Sequence, residues 1–346
     1  LLVHWQEIKG VETNRVLQFV SKHVDLARSG AIFSRATRAE DIDSYGDRSL
    51  SQVVHLWRCN NVSKLNTFFF RLNDKMADGG RFICRTETLE LRKQRHIHKY
   101  GILQPLHYPL DFLLKRVFPK LSATRGMYFS LTGGKNRAMS KTEVLGRLVY
   151  AGFEVEHIEE IDGLLYIVSK KVARPSTAPK PSHGMLLQIQ RLGADGKKIK
   201  VYKFRTMHPY AQYVQDFIYK NNALADGGKF KDDFRITKWG RWMRRFWVDE
   251  LPMLWNILRG DLKMVGVRPI SEHYMSLYTE EHQAKRKRSK PGFIPPFYAD
   301  MPVTLADIME SESRYIDTYN AEGWRADLSY VVRGVNNVFV NGARST

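Results

Sequence analysis

Cysteine is scarce: the chain of 346 residues has two, Cys59 and Cys84. Two such cysteines cannot form a disulfide framework or a C-x-x-C metal pair, and their scarcity fits a reducing compartment. Long apolar runs are missing too. No window of about 18 uncharged apolar residues exists, so no transmembrane helix is predicted. No signal-peptide pattern appears. The chain opens Leu1-Leu2-Val3-His4 without a methionine, as a piece of a longer chain would. His183, His208 and His273 have no partner at metal-ligand spacing, so no histidine metal site is expected. Acid is in short supply: 36 Asp and Glu face 55 Lys and Arg, a formal net charge of +19 at pH 7. That balance predicts an anionic partner, whether nucleic acid, an acidic membrane surface or phosphorylated substrates. No RNA-binding or zinc-finger motif is present, so nucleic acid is not expected.

What is present describes a folded chain long enough for two domains, with 43% hydrophobic and 12% aromatic residues. Val16, Phe19, Val20 and Val24 space as a helix, and residues 49–57 read as another. Val62, Leu65, Phe69, Leu72 and Met76 keep helical spacing. Asp78-Gly79-Gly80 is expected to end that helix, before a short buried strand at Arg81–Cys84. Residues 102–121 are the most apolar long stretch, broken by Pro105, Pro109 and Pro119 and by Lys115-Arg116. The simpler reading is a core helix between loops; the other is a helix lying in anionic lipid headgroups. Ser140-Lys141-Thr142-Glu143 is a capping box opening a helix that Gly152 closes. Two strands follow, turning at Asp162-Gly163. Residues 172–183, with three prolines, form the linker between domains at 1–171 and 184–346. Beyond it, Leu186–Met207 reads as a hairpin turning at residues 194–197. Helices are expected at 210–222, 272–288 and 304–320, with a polar loop at 225–233 and a final apolar segment at 328–340.

The stretch that organises the second domain is Asp249-Glu250-Leu251-Pro252. Leu251, Leu254, Trp255 and Leu258 fall at i, i+3, i+4 and i+7, the stripe of a helix packed on a core. Proline is tolerated in a first turn, so both acids are expected at a helix N-terminus, where the dipole favours negative charge. On spacing alone they are an ordinary cap and a first-turn acid. Their surroundings point to chemistry. Arg235, Lys238, Arg241, Arg244 and Arg245 precede them, and Gly260-Asp261 and Gly266-Val267-Arg268-Pro269 follow. Carboxylates hold Mg²⁺ and arginine forks match phosphate oxygens.

Five motifs in order make residues 184–300 resemble the bacterial sugar transferases, the monotopic polyprenyl-phosphate phosphoglycosyl transferases. They are Lys203-Phe204-Arg205-Thr206-Met207, Asp233-Phe234-Arg235-Ile236-Thr237 running on to Gly240-Arg241, the Asp249 block, Val265-Gly266-Val267-Arg268-Pro269, and Lys290-Pro291-Gly292. The resemblance implies transfer of a phosphosugar from a UDP-sugar to a polyprenyl phosphate, with release of UMP. Asp249 would be the nucleophile that forms a covalent phosphosugar intermediate. Glu250, with Asp249, would hold Mg²⁺ or manage protons. Lys203, Arg205, Arg241 and Arg268 would bind phosphate, with Asp233, Arg235, Pro252 and Asp261 in support. Location at the cytoplasmic face of the bacterial inner membrane, peripheral or monotopic, and a homodimer are further expectations. The family's apolar re-entrant helix is replaced by the Pro/Ser linker, Val267 stands for a proline, and Met253 for a glutamine. A non-catalytic, membrane-associated assembly protein on a degenerate transferase fold is the alternative.

The order of elements before the linker weakly resembles the C-terminal half of a Rossmann-like methyltransferase. No glycine-rich cofactor loop precedes it, so an active methyltransferase is not expected. The fold class is therefore α/β: a partial Rossmann-like domain, then an α+β phosphoglycosyl transferase-like domain of a β-hairpin and packed helices.

Overall fold

The computed structural model describes residues 12–25, 27–221 and 233–340, without the side chains of residues 338 and 339. The polar loop expected at 225–233 lies, apart from Asp233, outside the described residues. The chain divides into two compact units. The first takes residues up to His183 and the described parts of 208–224 and 230–235; the second takes 184–207 and the described chain from Ile236.

Unit one is built on a five-stranded sheet in the order β1-β2-β3-β5-β4. Its strands are β1 (Ala31–Ser34), β2 (Leu50–Arg58), β3 (Met76–Thr86), β4 (Phe153–Ile161) and β5 (Leu164–Lys171). The first three run parallel, and β5 lies antiparallel between β3 and β4. Successive strand residues point to opposite faces. Val53, Phe82, Cys84 and Ile167 therefore enter one core while Val54, Ile83, Tyr166 and Val168 enter the other. Helix α1 (Asn14–His23) covers the second face with Val16, Phe19 and Val20. Helices α2 (Leu65–Lys75), α6 (Lys141–Tyr150) and α7 (Gln215–Asn221) cover the first. A sheet with helices on both faces and mainly parallel strands is the α/β class expected.

Three local expectations are corrected. Residues 49–57 are not a helix but strand β2, because Val53 and Val54 are both fully buried on opposite sides of the sheet. Short apolar runs do not by themselves separate strand from helix. Gly79-Gly80 does not lie outside the strand; β3 already starts at Met76, and its pairing jumps from Leu50–Met76 to Gln52–Arg81, a bulge that takes up the glycines. Residues 102–121 are not a core helix. They form α4 (Gln104–Phe112) and a π-helical turn at Leu113–Val117, in which Ile102, Leu106 and Leu110 are exposed. One edge of this region is fastened by Arg92, whose Nε and Nη2 donate to Asp111 at 2.5 and 2.7 Å. Helices α3 (Leu89–Tyr100) and α5 (Ser122–Thr132) flank it.

Other signals hold. Ser140 caps α6 by accepting from the Glu143 amide at 3.2 Å. The Glu143 side chain does not return to close the box; it is taken by Arg116, Lys120 and Arg147. Asp162 and Gly163 both have positive φ, 52° and 74°, the turn that matches strand twist.

Unit two opens with the hairpin β6 (Leu186–Leu192) and β7 (Lys198–Phe204). Next come α8 (Lys238–Arg245) and α9 (Met253–Leu258). A parallel pair, β8 (Lys263–Val265) with β9 (Gly292–Ile294), brackets α10 (Glu272–Met275) and α11 (Glu280–Lys287). Then α12 (Phe297–Asp300), α13 (Leu305–Glu322) and α14 (Trp324–Val340) close the described chain. Its apolar interior is three small clusters: Val201, Met253 and Leu262; Ile270, Met275 and Tyr278; and Val265, Val267 and Ala299 with Tyr315, Ile316 and Tyr330.

Candidate active site

The β-hairpin supplies one wall. Leu187 pairs with Lys203, Ile189 with Val201 and Arg191 with Ile199. Residues two apart share a face, so Ile189, Arg191, Val201 and Lys203 stand together. With Glu250, Arg268 and Tyr298 they line a cavity of about 90 Å³. That is the scale of about three waters, enough for one phosphoryl group.

The acidic pair, expected at a helix N-terminus, comes from a 3-10 turn, Val248–Glu250, just before the helix. The α-helix that follows is α9, only six residues, entered through Pro252. The turn is reached through Trp247, which sits in the left-handed region at φ 57°. For a bulky residue this costs about 1–2 kcal/mol. The Trp247 ring lies 4.4 Å from that of Tyr298, and such aromatic pairs contribute about 0.5–1.5 kcal/mol, enough to offset most of the strain. Strain held by packing marks this turn as a built feature.

Asp249 and Glu250 are both buried. Lys203 Nζ donates to Glu250 Oε1 at 2.6 Å. Asp249 Oδ1 is buried and has no hydrogen-bond partner among the described residues. Burial, and then the charge of Glu250, raise the Asp249 carboxyl above its ordinary range; Lys203 and Arg244 pull the other way. A carboxylate so placed is a better nucleophile than a solvated one. It is also the kind of orphaned buried oxygen that a ligand satisfies.

Two motifs are pinned together by close approach. A Cβ on Gly292 would lie 2.1 Å from the Gly266 amide nitrogen, so neither loop can carry a side chain there. This contact fixes the loop that presents Arg268, whose guanidinium lies 5.6 Å from the Phe297 ring centre. Asn256, fully buried, ties α9 to the hairpin. Its Nδ2 donates to Lys200 O at 2.7 Å, and its Oδ1 accepts from the Tyr202 amide at 3.1 Å.

The structure thus brings Lys203, Glu250 and Arg268 to one cavity; Asp249 is not among its lining residues, but Glu250, Lys203 and Arg244 act on it through their charges. Arg205 is not among the cavity's lining residues; its Nε donates to Gly184 O at 2.8 Å. Arg241 is exposed on α8. Asp233 and Arg235 make a bidentate pair, at 2.7 Å between Arg235 Nη2 and Asp233 Oδ2, inside unit one. Asp261 accepts from Asn256 Nδ2 at 3.1 Å, a contact that braces the turn after α9. Pro252 occupies the cap position before α9. Two basic residues were not singled out from the sequence. Arg191 was visible only through hairpin register. Arg244, whose Nε donates to Thr206 Oγ1 at 3.0 Å, was one of five bases in a dense block. Among the described residues no cluster of three or more His, Cys, Asp or Glu is placed to hold a metal.

Residues 174–341 match the family model described as bacterial sugar transferase. An uncharacterised sugar transferase, EpsL of Bacillus subtilis, is 42% identical over 102 residues, covering 30% of this chain and 44% of the relative. The UDP-glucose:undecaprenyl-phosphate glucose-1-phosphate transferase of Klebsiella pneumoniae is 32% identical over 189 residues, 52% of this chain and 37% of the relative. The chain therefore spans less than half the length of either. A putative S-adenosylmethionine dependent methyltransferase of Listeria monocytogenes, a solved structure, aligns at 14% identity over 46% of this chain and 78% of its own, with a TM-score of 0.29. Five motifs in order, the geometry that joins them and the match over 174–341 lead to one assignment: in those residues the chain belongs to the bacterial sugar transferase family.

Proposed function

We propose that unit two transfers a phosphosugar from a UDP-sugar to a polyprenyl phosphate and so starts the assembly of a glycan. The observation that carries this reading is the buried Asp249 Oδ1, without a hydrogen-bond partner among the described residues and under the charges of Glu250, Lys203 and Arg244, next in sequence to the Glu250 that lines the cavity with Lys203 and Arg268. An Asp249 oxygen attacks the phosphorus that bears the sugar. The bond from that phosphorus to the bridging oxygen breaks, and UMP leaves with the electron pair. An oxygen of the polyprenyl phosphate then attacks the aspartyl-linked phosphorus, and the Asp249 carboxylate is regenerated. Lys203, Arg191 and Arg268 neutralise the phosphoryl oxygens, where most of the catalytic stabilisation of such a transfer is needed.

Mg²⁺ fits the donor set. Two carboxylates, one of them with an unsatisfied buried oxygen, suit a hard cation that takes its other ligands from water and substrate phosphates. Asp249 and Glu250 would hold it, and it would supply charge neutralisation for the leaving UMP.

The acceptor is a lipid, and unit two offers a surface for it. Trp239, Trp242 and Phe246 on α8 and Leu251, Leu254, Trp255 and Leu258 around α9 are exposed on either side of the acidic turn. Exposed Lys238, Arg241 and Arg245 are interleaved with them. Aromatic residues with cations along a short helix favour the headgroup region of an anionic bilayer. We take this surface, at the cytoplasmic leaflet, as the route to the membrane. No helix among the described residues is long and apolar enough to cross one.

The test is UMP release from a panel of UDP-sugars with polyprenyl phosphate, Mg²⁺ and detergent, for the unaltered chain beside Asp249→Asn. Release that needs both the lipid and Asp249, falling about 10³-fold or more in the variant, supports the proposal. Equal rates for the two proteins overturn the nucleophile. No release from any donor favours the non-catalytic assembly reading.

A further inference from the structure

Unit one holds a larger cavity, of about 700 Å³, far from neutral in charge. Lys64, Lys120, Arg125, Arg137, Arg147 and Lys180 line it, and Lys115 makes a seventh cation; among the described lining residues the one carboxylate is Glu143. Glu143 is fully engaged, by Arg116, by Lys120 at 3.0 Å and by Arg147 at 3.0 Å. One negative charge does not answer seven positive ones; Lys64, Arg125 and Lys180 meet solvent, but Arg147 is buried, where charge is costly without a partner.

Three further observations point into the same space. The buried Arg137 Nε, Arg147 Nε and His183 Nδ1 have no hydrogen-bond partner among the described residues, and the Arg147 side chain is only 7% exposed. Helix α2, of 11 residues, begins at the cavity wall without a side-chain cap: Lys64 occupies the cap position, and residues 63–67 line the cavity. Free amides and the positive end of a helix favour an anion. The guanidinium carbons of Arg125 and Arg137 lie 5.7 and 5.8 Å from the Phe129 ring centre. Crowding leaves its mark on the bases. Burial and then Arg116 push the Lys120 ammonium down to about 7. Burial and then Arg147 push Arg137 down to about 10.

We propose that this cavity binds a diphosphate-bearing small molecule, a nucleoside diphosphate by size, with its phosphates among Arg137, Arg147 and the α2 amides. The volume suits a ligand of that class, and the cations suit two linked phosphates. The site lies wholly in unit one, and nothing in the transfer reaction uses it.

The test is calorimetric titration of the full chain with pyrophosphate, ADP and UDP in EDTA. Every protein carries Arg268→Gln, which removes a guanidinium from the other phosphate-handling site. Binding is expected, and Lys64→Glu with Arg125→Glu, both exposed and so compatible with the fold, should weaken it at least roughly tenfold. A charge-preserving Lys64→Arg with Arg125→Lys should keep it. No binding of any of the three probes, or binding indifferent to the charge reversal, overturns the proposal.

Discussion

Two stretches of this chain carry the same apolar spacing and meet opposite fates. On α6, Val144, Leu145 and Leu148 are all at 0% exposure against the sheet of unit one. Around α9, Leu251, Leu254, Trp255 and Leu258 are 47%, 41%, 57% and 79% exposed, and the buried positions are Met253 and Asn256 instead. The expectation of a core-packed stripe is right for α6 and wrong for α9. Helical periodicity reports that one face is apolar. It does not report whether protein or another apolar phase covers it.

That contrast can be broken or sharpened by experiment. The largest effect is expected in the buried stripe: Leu148→Ala should cost roughly 3 kcal/mol in chemical denaturation, and a loss under 1 kcal/mol would mean that the site collapses around the gap. In the exposed stripe, Trp242→Ser with Trp255→Ser should cut partitioning onto anionic vesicles about tenfold with little change in melting temperature. Unchanged partitioning would leave that face without its proposed cover. Asp249→Asn tests the acid between the two helices. A carboxyl raised in the fold contributes its full penalty above the folded value and none below the ordinary 3.8. Stability should therefore fall as pH rises through that window. At neutral pH the asparagine variant should melt at the same temperature or higher, and a lower melting point would show that the charge is well solvated. The acid limb of turnover should likewise lie above the ordinary carboxylate range. The smallest effect belongs to Leu258→Ala, expected within about 0.5 kcal/mol of the unaltered chain; a larger loss would place that side chain in a core.

Much of the site was legible because its chemistry is local. The hairpin turn, the order of the motifs, and the pairing of Asp249 with Glu250 depend on residues near one another in sequence. Arg191 was not legible because its place beside Lys203 depends on the register across the hairpin. Trp247 was not, because nothing in a tryptophan announces a left-handed backbone. In unit one, β2 was misread because a strand buried on both faces over residues 52–56 lacks the alternation of a half-exposed strand. The stretch at 102–121 was misread for the same reason as α9: its cover is not in the chain's own described core.

The threading of the chain through its two units bears on how it can be dissected. Val214 and Ile218 belong to the core of unit one, yet they lie after the hairpin of unit two. A truncation starting at residue 184 would carry α7 away from the helices it completes. It would leave unit one with a vacancy where two buried side chains stood, and give the excised piece a sticky, orphaned segment. A single protease cut between 172 and 183 would not separate two self-sufficient modules. A useful dissection must either keep the chain whole or replace 208–221 with a short bridge and supply α7 to unit one as a graft.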